Sequence, residues 1–163
     1  MSSTDTFVAN SGQYAARFDK GDLPMPPASH VAVVACMDAR LNPYGILGLS
    51  EGDAHVIRNA GGVVTDDVIR SLAISQRLLA TNEIVLIHHT GCGMLTFHDD
   101  AVKADIEADT GIRPPFALEA FPDLEADVRQ SINRIKASPF VPHRDTVRGF
   151  VYEVETGALR EVV

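Results

Sequence analysis

The sequence predicts an α/β fold: a central, mostly parallel β-sheet with an added antiparallel strand, flanked by helices and preceded by an N-terminal helical arm. Three observations predict it. Two near-continuous apolar runs, Val31-Ala32-Val33-Val34-Ala35 and Ile84-Val85-Leu86-Ile87, read as strands buried on both faces. An amphipathic helix lies between them, and strand, helix, strand in that order makes a right-handed parallel crossover. Each run stops abruptly at reactive side chains, Cys36 after the first and His88-His89-Thr90-Gly91-Cys92-Gly93 after the second.

The 163 residues suit one compact domain, 1–163, with residues 1–27 as an arm. Hydrophobic residues make up 45%, enough for a core and too many for a disordered chain. A net charge of -8 leaves no basic stripe to neutralise phosphates, so nucleic acid is not an expected partner. No apolar run approaches the roughly 20 residues that span a bilayer. Residues 1–6 show no basic segment leading into an apolar one, so no export signal is visible. Two cysteines without such a signal predict a cytoplasmic protein with free thiols, a disulfide between them being the rival reading.

In chain order, residues 1–9 read as a loose lead-in. Asn10 or Ser11 is expected to cap a helix through about Asp19, with Tyr14 and Phe18 on one face and Gly21 as its end. Leu23-Pro24-Met25-Pro26-Pro27 is an extended arm, placed on a partner subunit or on its own domain. After the first strand, Asn42 caps a helix with Pro43 at its first position. Gly48 to Gly52 is a loop. His55 to Arg58 is a second strand, closed by Asn59-Ala60-Gly61-Gly62, whose glycine pair permits positive φ or close backbone approach. This is no GxGxxG fingerprint, so a dinucleotide site has little support. Thr65 caps a helix to about Ala80, with Ile69, Leu72, Ala73 and Leu79 as its apolar stripe. A helix from about Thr96 to Asp109 ends at Gly111, and Arg113-Pro114-Pro115 is a loop. Leu124, Val128, Ile132 and Ile135 mark another amphipathic helix, stopped near Pro139. Val147 to Val154 alternates as a strand, and Thr156-Gly157 turns it into a last strand, Ala158 to Val163.

If the two apolar strands are parallel neighbours, Cys36, His89 and Cys92 meet at one edge of the sheet. Two thiolates and an imidazole suit zinc, one ion per chain, and leave a fourth position over. His89 and Cys92 are three residues apart across Thr90-Gly91, so a tight turn aims both at one ion. Side chains alternate along a strand, so His88 points to the opposite face and reads as a satisfied, partly buried histidine. Asp38 and Arg40 lie two apart, on one side of an extended chain, where the guanidinium holds the carboxylate ionised. Asp38 is then an acceptor beside the ion, or itself the fourth ligand in a closed state. A plain surface ion pair is the bland alternative.

Cys36-Met37-Asp38-Ala39-Arg40, Arg58-Asn59-Ala60-Gly61 and His89-Thr90-Gly91-Cys92-Gly93 resemble, in order and spacing, the β-class carbonic anhydrase family, most of all its small mycobacterial type. The resemblance implies zinc held by Cys36, His89 and Cys92, with an Asp38–Arg40 dyad. It implies reversible hydration of carbon dioxide to bicarbonate by a zinc-bound hydroxide. It further implies a homodimer with the site near the subunit interface, often paired into a dimer of dimers. Two positions depart from the family pattern: Gly62 stands where asparagine is common, and Ala39 where serine is. His55, His88 and His98 are equal candidates for passing protons to buffer. Hydrolases of carbonyl sulfide or carbon disulfide share these ligands and this dyad and form the first alternative. A non-catalytic zinc module is the second, though a closed structural site needs four ligands and only Asp38 is at hand.

Overall fold

The computed structural model describes residues 2–163. Five strands form one sheet in the order β2-β1-β3-β4-β5. They are β1 (Val31–Cys36), β2 (Ala54–Asn59), β3 (Glu83–His89), β4 (Val147–Tyr152) and β5 (Leu159–Val162). The first four are parallel and β5 is antiparallel to β4. The helices are α1 (Ser3–Ala15), α2 (Pro43–Leu47), α3 (Asp66–Leu79), α4 (Asp99–Thr110) and α5 (Leu124–Ala137). The expected α/β class, the mixed sheet and the flanking helices are all present.

Alternation along β1 and β3 splits the core. Ala32, Val34, Ile84 and Leu86 pack with Val68 and Leu72 of α3 and Ile135 of α5. Val33, Ala35 and Ile87 face the other way, onto Leu41, Val63, Met94 and Phe121. Each fully buried aliphatic side chain of this kind contributes about 1.5–3 kcal/mol by leaving water. The sheet's carboxyl edge is therefore a rigid shelf.

Local chemistry ends the helices as expected at several points. Asn42 accepts from Gly45 N at 3.3 Å with Pro43 at the first helical position, and Gly48 closes α2 at φ 66°. Thr65 accepts from Val68 N, and Asp66 and Asp67 sit in the first turn of α3. Gly111, at φ 76°, closes α4.

Other expectations are corrected. α1 starts at Ser3, so residues 3–9 are helical and Asn10 and Ser11 lie inside the helix; Met1 of the expected lead-in lies outside the described residues. Its start is a capping box: Ser2 Oγ accepts from Asp5 N at 3.1 Å while Ser2 N donates to Asp5 Oδ2 at 2.7 Å. The helix stops at Ala15, and Phe18 beyond it still reaches Tyr14, ring centroids 5.7 Å apart. α4 begins at Asp99 because residues 93–95 form a 3-10 turn in which Thr96 Oγ1 donates to Gly93 O at 2.7 Å. The buried face of α3 is Val68, Leu72, Ser75 and Gln76, rotated from the apolar stripe. That rotation costs little because both polar groups are satisfied: Ser75 Oγ bonds Thr81 Oγ1 at 2.7 Å, and Gln76 Oε1 accepts from His143 N at 2.8 Å. β4 ends at Tyr152, two residues early, and β5 is shorter than expected.

α5 lies directly on β4 because Gly149 has no side chain. A Cβ there would overlap Val128 Cγ1 and come within 2.9 Å of Ile132 Cδ1. Gly149→Ala should therefore destabilise the fold by about 1–3 kcal/mol through overpacking. Adding Val128→Ala should return part of that loss. Chemical denaturation of the two variants checks this; additive losses would mean that the helix does not rest on this glycine.

Candidate metal centre

Three parallel strands deliver the site. β1 and β3 pair in register, Ala35 beside Ile87, so Cys36 leaves β1 level with the end of β3. His89 is the last residue of β3. The chain then turns at Thr90-Gly91, with Gly91 at φ 62°, a conformation glycine adopts at no steric cost. Thr90 is pinned to the end of β4 and the chain just after it: its N–H donates to Tyr152 O at 3.0 Å and its Oγ1 accepts from Val154 N at 3.1 Å. Cys92 comes straight after this turn.

The result is a buried cluster in which ligand atoms of Cys36, His89 and Cys92 all lie within 4.8 Å of one another. The Sγ atoms of Cys36 and Cys92 are 4.0 Å apart, and both thiols are free. That excludes the disulfide, whose S–S bond is about 2.05 Å. It suits two sulfurs on one tetrahedral ion, which stand about 3.8 Å apart when each bond is about 2.3 Å. His89 Nδ1 donates to Thr90 O at 2.9 Å, which leaves Nε2 as the lone-pair nitrogen. This Nε2 is buried and has no hydrogen-bond partner. An orphaned imidazole nitrogen facing two thiols is what a zinc donor set looks like, so the residues fit the ion. The hydrogen bond from Cys92 holds the Cys36 thiol down to about 4. The same bond, with burial, pushes Cys92 up. One thiol of the pair is thus the readier to ionise, and a dication held by Cys36 and Cys92 would favour the thiolate form of both.

Asp38 and Arg40 sit beside this cluster. Arg40 donates through Nε to Asp38 Oδ1 at 2.9 Å and through Nη2 to Oδ2 at 2.7 Å. Its backbone N–H reaches Oδ1 at 2.9 Å as well. These side-chain and then backbone bonds hold the Asp38 carboxyl well below the usual carboxylate range. Arg40 Nη2 also donates to Gly91 O at 3.0 Å, tying the dyad to the His89–Cys92 turn. Asp38 Oδ2 lies 3.6 Å from His89 Nε2, at the rim of the donor set. All five expected site residues are thus together.

Of the three candidate proton carriers, His88 and His55 have partners elsewhere. His88 is fully buried away from the thiol pair: Nε2 bonds Asp127 Oδ2 at 2.7 Å, and the ring lies 5.7 Å from that of Phe121. His55 lies near the start of β2, four residues or about 13 Å from its carboxyl end, and bonds Ser75 Oγ at 2.8 Å. His98 is the exposed residue before α4. Gly62 receives a physical reason. Its φ is 69°, and a Cβ there would stand 2.8 Å from Cys36 N, so the backbone itself fills the space a side chain would need. Sequence reasoning missed Asp127, the buried partner of His88.

These contacts separate the two histidines. Cys36→Ala, His89→Ala and Cys92→Ala should each lower zinc well below one ion per chain. His88→Gln should keep the ion and instead lose about 1–3 kcal/mol of stability, because Asp127 is left imperfectly paired in the core. Elemental analysis with thermal melts checks both; an empty His88→Gln protein beside a loaded His89→Ala protein would reverse the assignment.

Comparisons with known proteins place the chain among related sequences and folds. A family profile described as carbonic anhydrase matches residues 31–113. The chain is 62% identical to beta-carbonic anhydrase 1 of Mycobacterium tuberculosis over 99% of both chains. It is 34% identical to a carbon disulfide hydrolase of Saccharolobus solfataricus, covering 96% of this chain and 87% of that one. The crystal structure of a carbonic anhydrase from Streptococcus mutans superposes with a TM-score of 0.91 at 43% identity, over 100% of this chain and 99% of the other. With those ligands at the carboxyl edge of that sheet, the chain belongs to the β-carbonic anhydrase family.

Proposed function

We propose that the protein hydrates carbon dioxide reversibly to bicarbonate, with zinc held by Cys36, His89 and Cys92 and with Asp38 and Arg40 as the catalytic dyad. The observation that carries this reading is the donor count. Three buried protein ligands converge among the described residues, and the nearest further candidate, Asp38, is engaged by Arg40. Structural zinc sites close with four protein ligands, whereas catalytic ones keep a position open.

When bound, zinc supplies a Lewis acid that brings the pKa of water in its open position to about 7. The chain's own residues do the rest. Thr90 O fixes the His89 tautomer, so Nε2 is always the donor nitrogen. Burial of both thiols and of His89 keeps bulk water from competing for the ligands. Arg40 keeps Asp38 ionised and immobile, so Asp38 only accepts hydrogen bonds. An acceptor at that rim takes the nucleophile's proton-bearing side and turns its lone pair toward the carbon of the substrate. The dyad's contribution is present above the ordinary carboxyl range and is lost only as pH falls through the lowered Asp38 value. It is therefore intact throughout the neutral and alkaline range. Asp38 turned away from Arg40 would instead close the site as a fourth ligand.

A second reading, hydrolysis of carbonyl sulfide or carbon disulfide, is favoured by the 34% identity to a carbon disulfide hydrolase. Parallel assays of the three substrates separate the readings: carbon dioxide should be turned over fastest. Asp38→Asn should keep zinc and lower kcat/KM about 100-fold, the cost of a misoriented reactant. Full activity in Asp38→Asn, or zinc without any carbon dioxide turnover in the wild type, would contradict the mechanism.

We further place the protein in the cytoplasm as a homodimer or dimer of dimers, residues 1–27 being the arm of one β-carbonic-anhydrase-like domain. Two free thiols 4.0 Å apart persist best in a reducing compartment. No helix among the described residues is long and apolar enough to cross a membrane. α1 buries no residue on its own chain and leaves Phe7, Val8 and Tyr14 exposed, with Phe18 and Met25 exposed after it. Polar anchors hold this segment, Tyr14 Oη of α1 to Glu51 at 3.2 Å and Lys20 Nζ beyond the helix to Glu51 at 2.5 Å. A second copy is the natural cover for these apolar groups. A chain starting at Ala28 should sediment as a smaller species; an unchanged assembly with full activity would remove the arm from the interface.

A further inference from the structure

Arg58 is the next-to-last residue of edge strand β2, level with Ala35 of β1. The N–H groups of its Nε and Nη2 make four contacts, all to main-chain carbonyls of one short segment. Nε and Nη2 reach Cys36 O at 3.0 and 2.8 Å, and Nη2 also reaches Asp38 O at 2.8 Å and Leu41 O at 2.9 Å.

Three carbonyls point at one cation only if the chain between them curls around it. Residues 36–41 do so as they leave β1. That curl begins with a thiol of the metal centre and carries the Asp38–Arg40 dyad in its middle. A guanidinium presents its N–H groups in a rigid planar fork, so it fixes where acceptors sit relative to one another. An ammonium supplies the same charge without that template.

We propose that Arg58 is a positioning residue for the metal centre: its guanidinium holds the 36–41 turn in the one shape that aims Cys36 Sγ and the Asp38 carboxylate at a common point. This rests on Cys36 being a zinc ligand. Arg58 touches neither the thiol nor the carboxylate through these bonds; it acts through the backbone that bears them. Arg58 is the exposed residue of β2 and belongs to none of the apolar clusters, so the apolar core does not rest on it.

The test uses the full-length protein as Arg58→Gly and Arg58→Lys. The readouts are zinc affinity by chelator competition, the thiolate-to-cobalt absorption of the cobalt(II)-substituted protein, and the melting temperature of the zinc-free form. Arg58→Gly should bind zinc about 10–100-fold more weakly, the usual effect of removing a group that orients a ligand. Its cobalt spectrum should shift while the zinc-free melting temperature changes little. Added guanidinium should restore affinity, and methylammonium or sodium at the same concentration should not. Arg58→Lys should keep the defect in part, with a shifted cobalt spectrum, and carries the same test if Arg58→Gly does not fold. Unchanged affinity and spectrum in both variants would overturn the proposal. So would a loss that tracks the zinc-free melting temperature and ignores guanidinium. Failure of the wild type to bind zinc would instead overturn the ligand assignment itself.

Discussion

The in-register parallel pairing of β1 with β3 is the constraint on which the site depends. Val31 lies beside Glu83 and Ala35 beside Ile87, so both strands end at the same height. A slip of one residue would send every side chain of one strand to the opposite face. It would also exchange His89 for His88 at the cluster. The register is enforced from both sides at once, because Val34 and Leu86 are buried on one face and Ala35 and Ile87 on the other. The apolar core thus decides which histidine meets the thiols, and the metal centre inherits its precision from packing.

Around that frame the polar contacts divide the work. His88 and His89 are neighbours, yet one is bonded to Asp127 in the core and the other keeps a bare Nε2 beside Cys36 and Cys92. Arg40 and Arg58 approach the 36–41 turn through different groups: Arg40 holds the Asp38 carboxylate, and Arg58 holds main-chain carbonyls. Gly62 presses against the start of the turn, where its missing side chain lets the backbone reach Cys36 N. A net charge of -8 over the chain does not describe this corner, where two guanidinium groups hold the turn that leads out of Cys36.

Much of this was legible in the sequence because the signals are local. Apolar runs named β1 and β3, Asn42-Pro43 and Thr65 named helix starts, and Gly111 named a helix end. The HxxC spacing and strand alternation picked His89 over His88. What was not legible depends on distant partners. Ser75 and Gln76 look like surface residues until Thr81 and His143 meet them, the latter 67 positions away from Gln76. Asp127 looks like an exposed helix acid until His88 arrives from 39 residues away. The start of α1 was missed because no apolar stripe marks a helix that buries nothing on its own chain. The contacts of Arg58 left no trace either, since main-chain carbonyls are the same in every sequence.

The central claim is a three-ligand zinc site with one open position, built at the carboxyl edge of a register-locked sheet. Zinc X-ray absorption of the purified wild type tests it most directly. The account predicts two sulfurs at about 2.3 Å, one imidazole nitrogen at about 2.0–2.1 Å and one oxygen. That oxygen should be replaced by an added small anion such as azide. A second imidazole, a single sulfur, or an oxygen that no anion displaces while Asp38→Asn removes it would contradict the account.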